Sequence, residues 1–268
     1  MRRLLCSALS LGAVLWLVAG CRGALSPSLP AALRLSSVDP IWQHLQVRRT
    51  AYANLKGLAQ FQMHTAQGGG SLDNVAVVLQ HFEAIRMEGF GPFGQAVFLL
   101  VSDGQRFSFY LPHERRVISG PVSTQQFVRL FGLLVAPRTL PYLLVGDVPL
   151  PTFPATGRFR YLEADGLYLW EGEAPQEPWW YRVWFDPYRL LPVRFDLATP
   201  AHEIVLQVTY EDFRHIDGVT LPYRITLVQP GEARRVIWHY REVRINTDVA
   251  PALFHLRLPP GTERLELD

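Results

Sequence analysis

The chain has 268 residues, 49% hydrophobic and 19% charged, which excludes a disordered protein and suffices for one large or two small domains with a sizeable core. Its formal net charge of +2 is supplied by Arg2 and Arg3, so residues 21–268 are neutral and carry no basic footprint for nucleic acid. Both cysteines, Cys6 and Cys21, lie at the N-terminus, which excludes cysteine nucleophiles and cysteine-ligated metals from all that follows.

The chain opens with MRRLLCSALSLGAVLWLVAGC. Arg2 and Arg3 precede the apolar run Leu4 to Val18, and the small residues Ala19 and Gly20 precede Cys21. This is the arrangement of a secretory signal. LVAGC also resembles the bacterial lipobox, which implies cleavage after residue 20 and lipidation of Cys21. An uncleaved anchor helix is the alternative. Several acyl chains would anchor the protein firmly, since each buried CH2 contributes about 0.8 kcal/mol. Arg22 follows, where an Asp would imply retention at the inner membrane. The resemblance therefore implies a lipid anchor in the outer membrane, facing the periplasm. The lipid on Cys21 is the one covalent group expected; no cofactor and no metal are.

Residues 21–38 read as the acylated end and a Pro/Ser-rich tether. A helix follows, with Asp39 as N-cap and Pro40 at its first position. Ile41, Leu45, Tyr52 and Leu55 share one face, and Lys56 and Gly57 would end it. The period then becomes two: Ala59, Phe61 and Met63 alternate with Gln60, Gln62 and His64. GGGSLDN reads as a turn before VAVVLQHFEAIRME, QAVFLLV and QRFSFYLP. Between the first two of these lies GFGPFGQ, residues 89–95, a turn that carries Phe90 and Phe93.

A helical insert spans about residues 123–146. Ser123 and Gln126 form a capping box, and Phe127, Leu130, Phe131 and Leu134 give an amphipathic stripe. Leu140 to Gly146 reads as a further short helix. Strands resume in RFRYLEADGLYLWE, PWWYRVWFDPYRLLPVRFD, EIVLQVTYEDF, GVTLPYRITLVQ and ARRVIWHYREVRIN, with an extended tail at FHLRLPPGTERLELD. The sum is a mainly β (α+β) domain over residues 39–268. About ten antiparallel strands should form an incomplete curved barrel closed by a few helices.

Catalytic motifs are missing: there is no G-x-S-x-G and no H-E-x-x-H. The eight histidines are scattered, with no pair at metal-ligand spacing on one helix. Aromatic and apolar strand residues carry the signal instead. Phe61, Met63, Ile85, Met87, Phe98, Phe107, Phe109, Trp170, Trp180 and Trp184 are candidates to line an apolar cavity. An ordinary sheet core is the alternative.

The order of these segments resembles the LolA/LolB group of periplasmic lipoprotein carriers and acceptors, with LolB nearer. The likeness rests on the lipobox, PIWQHLQVRRTAYANLKGL with AQFQM, AIRMEGFGPFGQAVFLLVSDG, FVRLFGLLVAP with LPYLLVGDVP, DGVTLPYRITL and LRLPPG. It implies an unclosed barrel with an apolar cavity for acyl chains, no catalytic residues, and acylated lipoproteins or related lipids as cargo. It also implies delivery by a LolA-type periplasmic carrier and release into the outer membrane. In the acceptor, an apolar residue between Pro and Gly helps insert cargo; Phe93 holds that position, with Phe90 beside it at the cavity rim. Carriers also have an Arg on a cavity-lining strand that holds them closed, and Arg86 lies nearest to it on a loose local alignment. WWYRVWF departs from the pattern in being rich in Trp and Arg. Two other readings stay open: an envelope sensor or scaffold on the same fold, and a periplasmic hydrolase.

Overall fold

The computed structural model describes residues 29–135, 138–150, 152–154, 156–173 and 179–267. Cys21 and the signal segment lie outside the described residues. Residues 29–38, expected within the tether, are packed: the backbone N–H of Leu29 donates to Tyr161 Oη (2.8 Å), that of Leu35 to Tyr168 Oη (2.9 Å), and Arg34 pairs with Glu163.

Helix α1 (Asp39–Ala51) buries Ile41 and Leu45. Then come β1 (Asn54–Thr65), β2 (Gly68–Gln80), β3 (Ala84–Phe90), β4 (Ala96–Ser102), β5 (Arg106–Leu111) and β6 (Arg116–Pro121). Two helices follow, α2 (Thr124–Phe131) and α3 (Leu140–Leu144). The second half adds β7 (Arg158–Leu162), β8 (Leu167–Glu173), β9 (Trp180–Phe185), β10 (Pro192–Ala198), β11 (Ile204–Ile216), β12 (Val219–Gln229), β13 (Arg234–Ile245) and β14 (Glu263–Glu266).

These strands form one sheet in the order β14-β6-β5-β4-β3-β2-β1-β13-β12-β11-β10-β9-β8-β7. All neighbours are antiparallel except β14, which pairs parallel to β6. Among the described residues no ladder joins β7 to β14, so the sheet curls without closing. The expected curved, unclosed barrel is what forms, but with fourteen strands among the described residues instead of about ten. VAVVLQHFEAIRME makes two strands, because the chain reverses at His81, whose φ is +51°. The strand over Arg116–Pro121 carries no clear alternation of apolar residues and was not expected.

Two further boundaries differ. Helix α1 stops at Ala51, and Lys56 and Gly57 belong to β1. Gly57 is required by a close approach: a Cβ there would lie 2.8 Å from the Tyr240 ring. GGGSLDN is strand, paired to β1 through Met63↔Gly70 and Phe61↔Leu72. Hydrogen bonding to a neighbour overrides the turn propensity of glycine there.

Antiparallel alternation sorts the turns between two ends of the sheet. Turns 66–67, 91–95, 112–115 and 230–233 share one end. Turns 81–83, 163–166 and 217–218 share the other, which α1 covers. Arg48 Nε on α1 donates to the Thr220 carbonyl (3.1 Å), and Arg49 lies over the Phe82 ring.

Candidate functional site

The concave face of β1 to β5 is roofed by the helical insert. Ser123 caps α2 by accepting the Gln126 N–H (3.2 Å), and Gly132, at φ +63°, ends it. That fixes the apolar stripe downward. Phe127 meets Phe107 edge-on (centroids 5.6 Å) and Phe131 meets Phe109 edge-on (4.7 Å). Leu143 and Leu144 of α3 are buried, and Gly146 (φ +70°) turns tightly over the Pro222 ring.

A buried polar clamp holds this roof to α1. Asp147, fully inaccessible, accepts from Arg49 Nε and Nη2 (both 2.9 Å) and from the Val148 N–H (2.7 Å). Arg48 approaches the same carboxylate at 3.5 Å and also donates to the Val145 carbonyl. Burial pushes the Arg48 guanidinium below its ordinary range, and Asp147 opposes that shift. The Tyr210 hydroxyl donates to the Asp147 carbonyl and the Tyr240 hydroxyl to the Leu144 carbonyl (both 3.2 Å). Burial raises both phenols far above their usual range.

Between sheet and roof lies a cavity of about 350 Å3. Its wall is almost entirely apolar: no charged or hydroxyl-bearing side chain lines it, and Trp238 brings the one polar side-chain group, its indole N–H. Phe61, Met63, Met87, Phe98 and Phe109, all singled out in the sequence, form the sheet side. Val236 and Trp238 extend it across β13, and Phe127, Leu130, Phe131 and Leu144 supply the roof. The roof residues carried a legible signal, the helical stripe, but nothing in sequence places that stripe over β3 to β5.

The other candidates lie elsewhere. Ile85 is fully buried in the main core, paired with Leu79 near the α1-covered end. Phe107 packs beneath α2 and is not part of the cavity wall. Trp170, 1% exposed, fills the second half of the sheet against Phe153 (centroids 4.9 Å). Gly172 makes room for it, since a Cβ there would lie 2.9 Å from its ring. Trp180 and Trp184 point outward, because Tyr181, Val183 and Phe185 take the inward positions of β9. Trp184 carries the Arg194 guanidinium on its face (4.4 Å), and Trp180 meets His202 edge-on (4.7 Å). Arg86 does not face the cavity: it donates to the Leu253 carbonyl (3.1 Å) and pairs with Glu88.

GFGPFGQ forms the β3–β4 turn. The Gly94 N–H donates to the Gly91 carbonyl (2.9 Å) and the Gly91 N–H to the Gln95 carbonyl (2.8 Å). Pro92 and Phe93 occupy the two central positions, and Gly94 takes φ +77°. Phe93 is 93% exposed at the tip. Phe90 is half-buried at the end of β3 and is not a cavity-wall residue.

No family model matches the sequence, and no curated protein matches it. Solved structures do. A domain of a Vibrio parahaemolyticus protein assigned to outer-membrane lipoprotein sorting superposes with TM-score 0.56 at 12% identity, over 81% of this chain and 97% of that one. The LolA superfamily protein NE2245 from Nitrosomonas europaea gives 0.56 at 14% identity, over 83% and 99%. The chain has the fold of these proteins. A DUF1329 family protein from Desulfovibrio piger is similar to the same degree, with TM-score 0.57 at 13% identity, over 81% and 97%. The LolA-type likeness read from the sequence therefore extends to the fold, and the cavity lies between the concave face of that fold and its helical insert.

Proposed function

We infer that the protein is an envelope lipoprotein, anchored in the outer membrane through Cys21, that binds acyl chains in this cavity and passes them to the bilayer. The observation that carries the reading is the cavity itself: about 350 Å3 with an almost entirely apolar wall. An apolar space of that kind takes apolar ligands. No bond need break. An acyl chain gains about 0.8 kcal/mol per buried CH2 on leaving water, but cavity and membrane are both apolar, so transfer between them is close to balanced. Direction then comes from what the donor and the membrane offer.

Phe93 fits the release end. It is nearly fully exposed on a turn at the end of the sheet not covered by α1. An exposed aromatic ring on a rigid tip partitions into a membrane interface. Leu29 docks beside Tyr161, toward the opposite end. Residues 22–28 reach at most about 25 Å when extended, about the length of β3, so the anchor and Phe93 can address one bilayer. Acylated lipoproteins are the cargo on this reading, handed over by a LolA-type carrier, and the role is that of a LolB-like acceptor.

Extraction of the purified protein followed by lipid identification tests the binding step. Co-purified acyl lipid or lipopeptide is the expected result; a lipid-free protein that binds none on exposure would sink it. Phe93→Glu tests the release step. It should fold as the parent does, within about 0.5 kcal/mol, and load acyl cargo normally while failing to deliver it to vesicles. Normal delivery by that variant would remove the tip from the mechanism.

A further inference from the structure

Arg234 is the one inward-facing guanidinium beside the cavity among the described residues of β13. It shares the face of Val236 and Trp238, both wall residues, and lies one inward position beyond Val236 at the end of the strand. That strand end lies opposite the end of β1, where Met63, another wall residue, pairs with Val236. Arg234 also touches the roof: it donates to the carbonyl of Gly132, the residue before the wall residue Leu133. Gln229 shares that carbonyl (3.3 Å) and accepts from the Leu134 N–H (3.1 Å). Among the described residues no carboxylate pairs with Arg234, and its buried Nε–H has no acceptor. A guanidinium has five N–H donors in a fixed fork matched to a carboxylate or phosphate.

We propose that the cavity takes an anionic amphiphile, with its apolar part between sheet and roof and its carboxylate or phosphate on Arg234 at the rim. This rests on the acyl-binding reading above but changes the cargo from acylated lipoproteins to an acyl ligand with an anionic head. The charge of the head, not only its tail, then selects what enters. A neutral acyl group leaves the guanidinium with the Gly132 carbonyl alone and no counter-charge; an anion supplies a charge-assisted acceptor.

The test is displacement of the neutral dye N-phenyl-1-naphthylamine from the delipidated full chain, by dodecanoate, dodecyl phosphate, dodecanol and a tripalmitoylated cysteinyl peptide. Either anion should displace the dye at about tenfold lower concentration than dodecanol. The two anions separate a carboxylate head from a phosphate head. In Arg234→Gln that preference should collapse to about one while dye binding persists, and Arg234→Lys should restore part of it. Equal displacement by the anions and dodecanol in the parent protein overturns the proposal, as does an unchanged preference in Arg234→Gln. Displacement by the lipopeptide alone overturns it too, while leaving acyl binding intact. A protein that binds neither dye nor any of the four compounds overturns both.

Discussion

Asp147 is a carboxylate with no access to water, faced by two arginines. Removing one partner of a buried ion pair costs about 3–5 kcal/mol, because it leaves uncompensated charge. Asp147→Ala should lower stability by that amount in urea unfolding. Asp147→Asn keeps the shape and an acceptor for the Val148 N–H but not the charge, so it should lose most of the same. A loss within about 1 kcal/mol of the parent would assign the effect to packing instead. None of this was legible in the sequence, where Asp147 is one acid in a proline-rich loop and Arg48 and Arg49 are helix-surface types. The tryptophans show the same limit from the other side. Their residue type suggests interior, but strand parity decides, and parity in β9 could be read either way until Tyr181, Val183 and Phe185 are seen inside. Phe61, Met63, Met87 and Phe109 were legible because each sits on a strand with clear alternation, whereas Phe98 lies in a run that is apolar and buried on both faces.

Helix α2 is short, eight residues, and its cap therefore matters. The Ser123 hydroxyl satisfies one of four free N–H groups at its start. Ser123→Ala should cost about 1 kcal/mol, read as a lower urea midpoint at unchanged slope. An unchanged midpoint would mean that the rings of Phe127 and Phe131 hold the helix without its cap. The capping box and the stripe made this element easy to place. The end of α1 was harder, since the apolar spacing runs on through Tyr52 and Leu55, which are both buried although Tyr52 is the extended residue just past the helix and Leu55 lies in β1. β6 and the glycine-rich start of β2 were missed for a related reason. Both are strands held by neighbours distant in sequence, and their own residues carry little of the information.

Across the whole molecule, the buried phenols tie stability to alkaline pH. Burial is the leading cause that raises Tyr52, Tyr210 and Tyr240 above their ordinary value of 10.0. In the unfolded chain they ionise near 10, while in the fold they stay protonated. The unfolded state thus binds fewer protons above pH 10, and stability falls as pH rises from there. Each such phenol contributes up to about 1.4 kcal/mol per pH unit. Urea midpoints should be flat from pH 7 to about 9.5 and drop steeply by about pH 11; Tyr210→Phe should soften the drop. A midpoint that holds at that upper pH would show that these phenols ionise as freely in the fold as in water.

The same view brings out the missing ladder between β7 and β14. A closed barrel has its girth fixed by strand number and stagger. Here the circumference is not a closed loop, so the wall of β1 to β5 can spread outward at the seam and no strand pair need be broken. The half packed with Trp170 and Phe185 would stay as it is while the other half changes its bore. On the acyl-binding proposal, a container built this way would be graded by how far it opens rather than by one rigid capacity, and longer chains would be taken at a rising elastic cost instead of being refused at a set length.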